Sequence, residues 1–197
     1  MSELPFSEAA DRNREPILDA LRDVAAPGDR VVEIGSGTGQ HAVHLAPALE
    51  AVWQPTELPG QLESIEAWRA MAGTAAVLPA LELDVTGGWP EGPYDGAFSA
   101  NTAHIMPWES VLAMLAGVAR VLRRQGWFAL YGPFNEDGAF TSDGNARLDA
   151  WARERWPGAG LRNLEAVGSA AADAGLAPAG VQRLPANNLL LLFRVGP

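Results

Sequence analysis

The sequence predicts an α/β fold: a doubly wound sheet of seven strands, mostly parallel, with an antiparallel C-terminal strand pair and helices on both faces. Three observations predict it. Short apolar runs of strand length alternate with amphipathic stretches of helix length from Glu15 onward. A glycine-rich loop, Gly35-Ser36-Gly37-Thr38-Gly39, directly follows the first apolar run. The last two runs, PAGVQRL and LLLLFRV, are joined by only a few residues, too few for a parallel crossover.

The elements follow in order. EPILDALRDVA has Pro16 suited to a first helical turn, with Ile17, Leu18, Leu21 and Val24 at helical spacing and Pro27-Gly28 behind. RVVEI is the first strand, and the glycine loop leads into a short helix through His41, Val43 and Leu45. AVWQPTEL reads as the second strand, QLESIEAWRAM as a helix, LELDV as the third strand and GAFSA as the fourth. The next helix has Pro107 at its start and Glu109 in its first turn, with Val111, Leu112, Leu115, Val118, Ala119 and Leu122 on one face; Arg123, Arg124 and Gly126 close it. WFALY is the fifth strand and NLEAVGSAAADAGL the last helix. Between them lies a long segment rich in Gly, Asn and Asp, with one helix near Arg147 to Trp156. Long excursions inside compact domains serve as lids or binding loops, with a passive surface insertion as the alternative. The expected organisation is one domain over 1–197, with an N-terminal cap and helix over 1–27 and a substrate-side insertion over 132–163.

Composition excludes several function classes. Apolar residues make up 48% and charged residues 19%, the balance of a globular chain that buries a core. Lys and Arg number 14 against 24 Asp and Glu, a net charge of −10 with no basic run, so nucleic acid is not an expected partner. The absence of cysteine removes disulfides, thiolate nucleophiles and cysteine metal sites, and it fits a cytoplasmic protein. No run approaches the roughly 18–20 apolar residues of a membrane span, so no membrane partner is expected.

The glycine loop marks the ligand edge, because open α/β sheets bind ligands beyond the carboxyl ends of their strands. Glu33 sits just before it, a carboxylate in an otherwise apolar strand, and burial costs several kcal/mol unless it finds a partner. A dinucleotide fingerprint needs Gly or Ala where Gln40 stands, which disfavours a pyrophosphate. Glu57 ends the second strand about 20 residues beyond the loop, where an acid accepts both ribose hydroxyls. Loop and acid together indicate an adenosine-type cofactor.

The pattern E-x-G-x-G-x-G, an acid ending strand two and Asp84-Val85 ending strand three resemble the class I S-adenosylmethionine-dependent methyltransferases, whose sheet is Rossmann-like with an antiparallel final pair. More narrowly, RNREPIL, EIGSGTGQHAVH, AHIMPWE, YGPF and PANNLLLLFR resemble the methyltransferase-like protein 26 family. The resemblance implies S-adenosyl-L-methionine as cofactor. It places Glu33, Gly35, Ser36 and Gly37 at the methionine portion, with Gly39 and His41 in the same set, and Glu57 at the ribose. Asp84 would accept from the adenine amine, Val85 would lie against the ring and Asn101 beside the sulfonium. Asn13 and Arg14 of RNREP would fold over the cofactor, Arg14 pairing with the methionine carboxylate. Two departures stand out: Glu57 replaces the usual shorter aspartate, and Arg162-Asn163 stands where an Arg-Asp pair is usual.

Methyl transfer from a sulfonium is an in-line displacement with an activated donor, so alignment and exclusion of water dominate. His104 follows strand four at the ligand edge and is the candidate base or substrate-orienting group, with a loop hydrogen bond as the alternative. Tyr131 ends strand five as a donor to the acceptor or a core residue, with Phe134 and Asn135 beyond it. Asn13, Trp108, Phe134, Asn135 and Asn187 are the candidate substrate contacts. His41 and His44 are three apart on one helix but lack a third ligand, so no metal is expected. The leading reading is a methyltransferase acting on a small-molecule acceptor. The alternatives are a cofactor-binding sensor or partner module without turnover and, more remotely, a nicotinamide oxidoreductase.

Overall fold

The structure is a computed structural model, and it describes residues 4–196. Helix α1 spans Glu8–Leu21, strand β1 Arg30–Ile34, α2 Gln40–Ala48, β2 Val52–Glu57 and α3 Glu63–Ala72. After β3 (Leu81–Glu82) and β4 (Tyr94–Ala100) come α4 (Trp108–Val121) and β5 (Leu122–Asn135). The chain closes with α5 (Asp143–Arg155), β6 (Arg162–Asn163), α6 (Leu164–Asp173), β7 (Leu176–Leu184) and β8 (Asn188–Val195).

Seven strands form the expected sheet in the order β3-β2-β1-β4-β5-β8-β7. β3, β2, β1, β4 and β5 run parallel, while β8 pairs antiparallel with both β5 and β7. The two-residue β6 lies off this path, paired to the end of β5 through Phe134 and Asn135. Because the chain builds outward from β1 to β3 and then returns to β4 on the other side of β1, strand order reverses between β1 and β4. A crevice opens at the carboxyl ends there, and the glycine loop stands over it.

Strand periodicity separates two cores, since successive side chains point to opposite faces. Val31, Trp53, Phe98, Trp127, Ala129 and Tyr131 pack with Ile17 and Leu21 of α1 and Leu45 of α2. Val32, Ile34, Ala97, Phe128 and Leu130 pack with Met114, Leu115 and Val118 of α4 and Val167 of α6. Full burial of each large apolar side chain contributes roughly 1.5–3 kcal/mol, so both faces hold the sheet. Among the described residues no helix is long and apolar enough to cross a membrane.

Four elements differ from expectation, the first being strand five, expected as WFALY, which runs over Leu122–Asn135 and holds Tyr131 inside it. Helix α1 begins at Glu8 because the Ser7 side chain accepts from the Ala10 amide, with Glu8 and Asp11 in the first turn. Pro16 therefore lies inside the helix, where its missing N–H leaves the Arg12 carbonyl without the usual partner. Helix α4 buries Val111, Met114, Leu115, Val118 and Val121, while Leu112 is 40% exposed and off that face. It ends at Val121 rather than near Gly126, because Leu122 already pairs with Tyr94 in the sheet. Strand three is only Leu81–Glu82, leaving Asp84 and Val85 in the turn beyond it.

Candidate functional site

The glycine loop is tied to β2 by three bonds. Ser36 N–H donates to the Thr56 carbonyl (2.9 Å), the Thr56 amide returns a bond to Ser36 Oγ (3.2 Å), and Gly37 N–H donates to Glu57 Oε2 (2.8 Å). Gly35 has φ +70°, and a Cβ there would stand 2.6 Å from Thr102 Cγ2. Gly39, at φ +88°, would bring a Cβ within 2.9 Å of the Ile65 backbone on α3. Both positions need glycine for packing as well as for conformation. Gly37 differs: no atom lies within 4 Å of its virtual Cβ, so this part of the loop faces open space.

That space is a cavity of about 1360 Å³. Its loop side includes Gly35, Ser36, Gly37, His41 and Glu57, and α3 adds Glu63 and Ser64. Asn101 and His104 enter from the segment after β4 and Tyr131 from within β5, while α1 supplies Arg12 and Asn13. Asn145, Leu148 and Trp151 border it from α5, and Asn187 and Asn188 from the turn joining β7 to β8.

Glu33 is 1% exposed and does not line the cavity. Its Oε2 accepts from the Trp53 indole N–H at 2.9 Å, a partner that local sequence does not reveal. Burial pushes its carboxyl up to about 7, against the lowering effect of hydrogen bonds from Trp53 and Ser36. Ser36 does line the cavity, so the carboxyl stands one residue behind its wall. Glu57 reaches the wall itself, with Oε2 taking the Gly37 amide and Oε1 the Leu58 amide at 2.9 Å.

The acceptor-side groups are held from several elements. Asn101 adopts φ +60° after β4 while its amide donates to the Tyr131 carbonyl (2.9 Å). The His104 carbonyl accepts from the Gly160 amide (2.9 Å), and Arg162 donates to the Ala103, Met106 and Gly158 carbonyls, pinning the 103–106 turn. Burial, reinforced by the Arg162 charge, lowers the His104 imidazole to about 4. His41 Nε2 lies 2.7 Å from Asn13 Oδ1, and burial lowers that ring to about 4 as well.

Several expected site residues stand elsewhere. Arg14 points away and pairs with Asp11 at 2.9 Å; Arg12, on the other face of α1, borders the cavity instead. Asp84 accepts from the Thr86 amide (2.9 Å) and hydroxyl (2.7 Å), bonds that hold its carboxyl below the usual range, and Val85 packs into the core. Gly39 packs on α3, Phe134 is a core residue, and Trp108 packs against the same core with Arg162 over its ring at 5.8 Å. Asn135 pairs in register with Asn163 at the end of β5. Arg14, Gly39, Asp84, Val85, Trp108, Phe134 and Asn135 all lie off the cavity wall. No group of three or more His, Asp or Glu among the described residues is placed to hold a metal.

A family model described as protein of unknown function (DUF938) matches residues 4–195. The chain belongs to this family. Solved structures share the DUF938 chain's fold. An O-methyltransferase family protein from Burkholderia thailandensis aligns with TM-score 0.83 at 15% identity, covering 96% of this chain and 58% of that one. Human N-acetylserotonin methyltransferase, solved in complex with S-adenosylmethionine, gives 0.81 at 13% identity over 96% and 53%. The S-adenosylmethionine-dependent methyltransferase SibL, in its apo form, gives 0.81 at 19% identity over 96% and 56%. The DUF938 chain thus spans little more than half the length of each. The shared feature is the class I methyltransferase fold.

Sequence reasoning misses the lining residues of the DUF938 protein that depend on how helices dock. Ala9, Arg12 and Pro16 share one helical face with the expected Asn13 and all border the cavity, a spacing that becomes visible once Ser7 is taken as the helix cap. Trp151 and Leu148 reach the cavity only because α5 folds back over it, and no local signal marks that.

Proposed function

We propose that this DUF938 protein is an S-adenosylmethionine-dependent methyltransferase acting on a small molecule, with methyltransferase-like protein 26 as its nearer relative. We read it as one domain over 1–197, with an N-terminal cap and helix over 1–27 and a substrate-side insertion over 132–163. One observation carries the reading: a single cavity joins the cradle at Gly37 and Glu57 to Asn101, His104 and Tyr131 across the switch point of the sheet. That the proteins sharing the fold are named as methyltransferases supports it.

The residues suit the cofactor. Gly37 presents backbone with no side chain in the way, and Glu57 keeps carboxylate lone pairs on the wall for ribose hydroxyls. With Asp84 and Val85 off the wall, the nucleoside end is bounded by Gly60, Gln61 and Ser64. S-adenosylmethionine supplies a methyl already activated on sulfur, so the chain's own task is alignment and exclusion of water. His104 is neutral at pH 7 and offers a lone pair to an acceptor proton. Its depressed basicity matches an acceptor hydroxyl that is itself acidic.

Calorimetry is expected to show both S-adenosylmethionine and S-adenosylhomocysteine binding, with Glu57→Ala weakening each by about 10- to 100-fold, the worth of charge-assisted hydrogen bonds. Absence of binding to either ligand ends the proposal. The low basicity of His104 also favours a second reading, a binding module without turnover. Labelled methyl donor incubated with cell extract separates the two, since repeated transfer to any acceptor requires an enzyme.

A further inference from the structure

Gln40 stands where a dinucleotide fingerprint needs Gly or Ala, and it lies off the cavity wall. Its side chain turns instead to the N-terminal segment and is buried there, with 2% of the residue exposed. Oε1 accepts from the Ser7 amide (2.6 Å) and the Thr38 hydroxyl (2.9 Å), and Nε2 donates to the Ser7 carbonyl (3.3 Å). A carboxamide that takes both backbone groups of one residue holds it as a neighbouring strand would. We propose that Gln40 is a positioning residue for the cavity: acting through Ser7, it latches residues 5–13 against the end of the glycine loop as one wall of the ligand site, so that ligand affinity depends on the latch. The methyltransferase reading enters only in the choice of ligand.

Polar ties, not apolar burial, hold this segment. Pro5 and Phe6 are exposed, Phe6 by 58%, so little surface leaves water when they dock. The Trp68 indole N–H on α3 donates to the Pro5 carbonyl at 2.6 Å, and His41 Nε2 lies 2.7 Å from Asn13 Oδ1. The first two side chains of α2 therefore grip α1 at its cap and again at Asn13. Residues 33 apart in the Gln40 pair and 63 apart in the Trp68 pair meet only through tertiary docking.

The latched residues face the ligand space. Ser7, Ala10 and Asn13 border the cavity, whereas Gln40 and Trp68 do not. Ser7 also caps α1 by accepting from the Ala10 amide, so releasing it loosens the start of the helix with it. A ligand that needs the seated wall then has its apparent Kd raised by the inverse of the seated fraction. One neutral hydrogen bond is worth roughly fivefold in such an equilibrium.

Hydrogen exchange at the Trp68 indole N–H, assigned with Trp68→Phe, reports seating from the far tie. In Gln40→Ala this exchange is expected to speed up on the order of tenfold, and S-adenosylhomocysteine binding by calorimetry to weaken on the order of tenfold, the size of the two lost bonds to Ser7. Trp68→Phe touches the segment but not the cavity, and it should weaken the same ligand about fivefold while speeding exchange of the Ser7 amide. An indole that exchanges at the wild-type rate in Gln40→Ala overturns the latch. A freed segment with unchanged affinity overturns its place in the ligand site, and so does lost affinity with the segment still seated. If Gln40→Ala fails to fold, Trp68→Phe decides by Ser7 exchange and affinity. A wild type that binds no S-adenosylhomocysteine removes the methyltransferase reading instead, and exchange alone then upholds or overturns the latch.

Discussion

Gly35→Ala is expected to cost about 2–4 kcal/mol of stability, and Thr102→Ser in the same chain to return most of it. Two penalties meet at Gly35. The added methyl would lie 2.6 Å from Thr102 Cγ2, and a residue with a Cβ must hold φ +70°. Thr102 is buried, and its hydroxyl lies 2.7 Å from Ser99 Oγ, so the side chain cannot simply rotate away. Serine keeps that hydroxyl and removes only the methyl that clashes. The double variant should then retain roughly 1 kcal/mol of deficit, the cost of left-handed backbone in an L-residue. Urea unfolding of the four chains measures the coupling. Equal losses with and without Thr102→Ser would show that the steric account is wrong. On the methyltransferase reading, cofactor affinity follows the same order, because Gly35 and Ser36 both border the cavity.

Much of this fold is legible from residue order because it rests on short-range signals. The apolar strands, the glycine loop and the joint too short for a crossover specify a parallel sheet with an antiparallel close. The residues at strand ends are legible for the same reason: Glu57 ends β2 and Asn101 and His104 follow β4, while Tyr131, expected to end strand five, reaches the same cavity from inside the longer β5. Failures begin where a second element decides. Asp84 and Val85 read as a strand end, but the strand stops at Glu82, and Asp84 spends its carboxylate on its own turn. Arg14 and Arg12 are equivalent in composition, and only the rotational phase of α1, fixed by its burial of Asn13, Ile17 and Leu21, turns Arg12 to the cavity. Phe134 and Trp108 are the ordinary case of large aromatics, which serve a core more often than a ligand.

Glu33→Gln is expected to make the ligand-free protein more stable above pH 7, by up to about 3 kcal/mol, while weakening its hold on the cofactor. The folded carboxyl ionises near 7 and the unfolded one near 4.5. Below pH 4.5 both states carry the proton and the shift contributes nothing. Between the two values the unfolded chain releases its proton while the folded chain keeps it, so stability falls as pH rises. Above pH 7 both are ionised and the full deficit persists. Glutamine avoids that deficit yet still accepts from Trp53 through its carbonyl oxygen, and its amide can donate to Ser36 Oγ. Denaturation midpoints at pH 5 and pH 8 test this directly, because other titrating groups cancel between variant and wild type. The stability difference should widen from the lower pH to the higher, and an equal difference at both would remove the charge from the account. A chain that keeps a carboxylate at such a cost needs something to offset it. On the methyltransferase reading the offset is a cationic ligand sensed across Ser36, which borders the cavity and acts to lower the Glu33 carboxyl. S-adenosylmethionine should therefore bind Glu33→Gln on the order of tenfold more weakly at pH 8, the worth of one charge-assisted hydrogen bond. The same comparison at pH 5 should show a smaller gap, because there the wild-type carboxyl is already protonated.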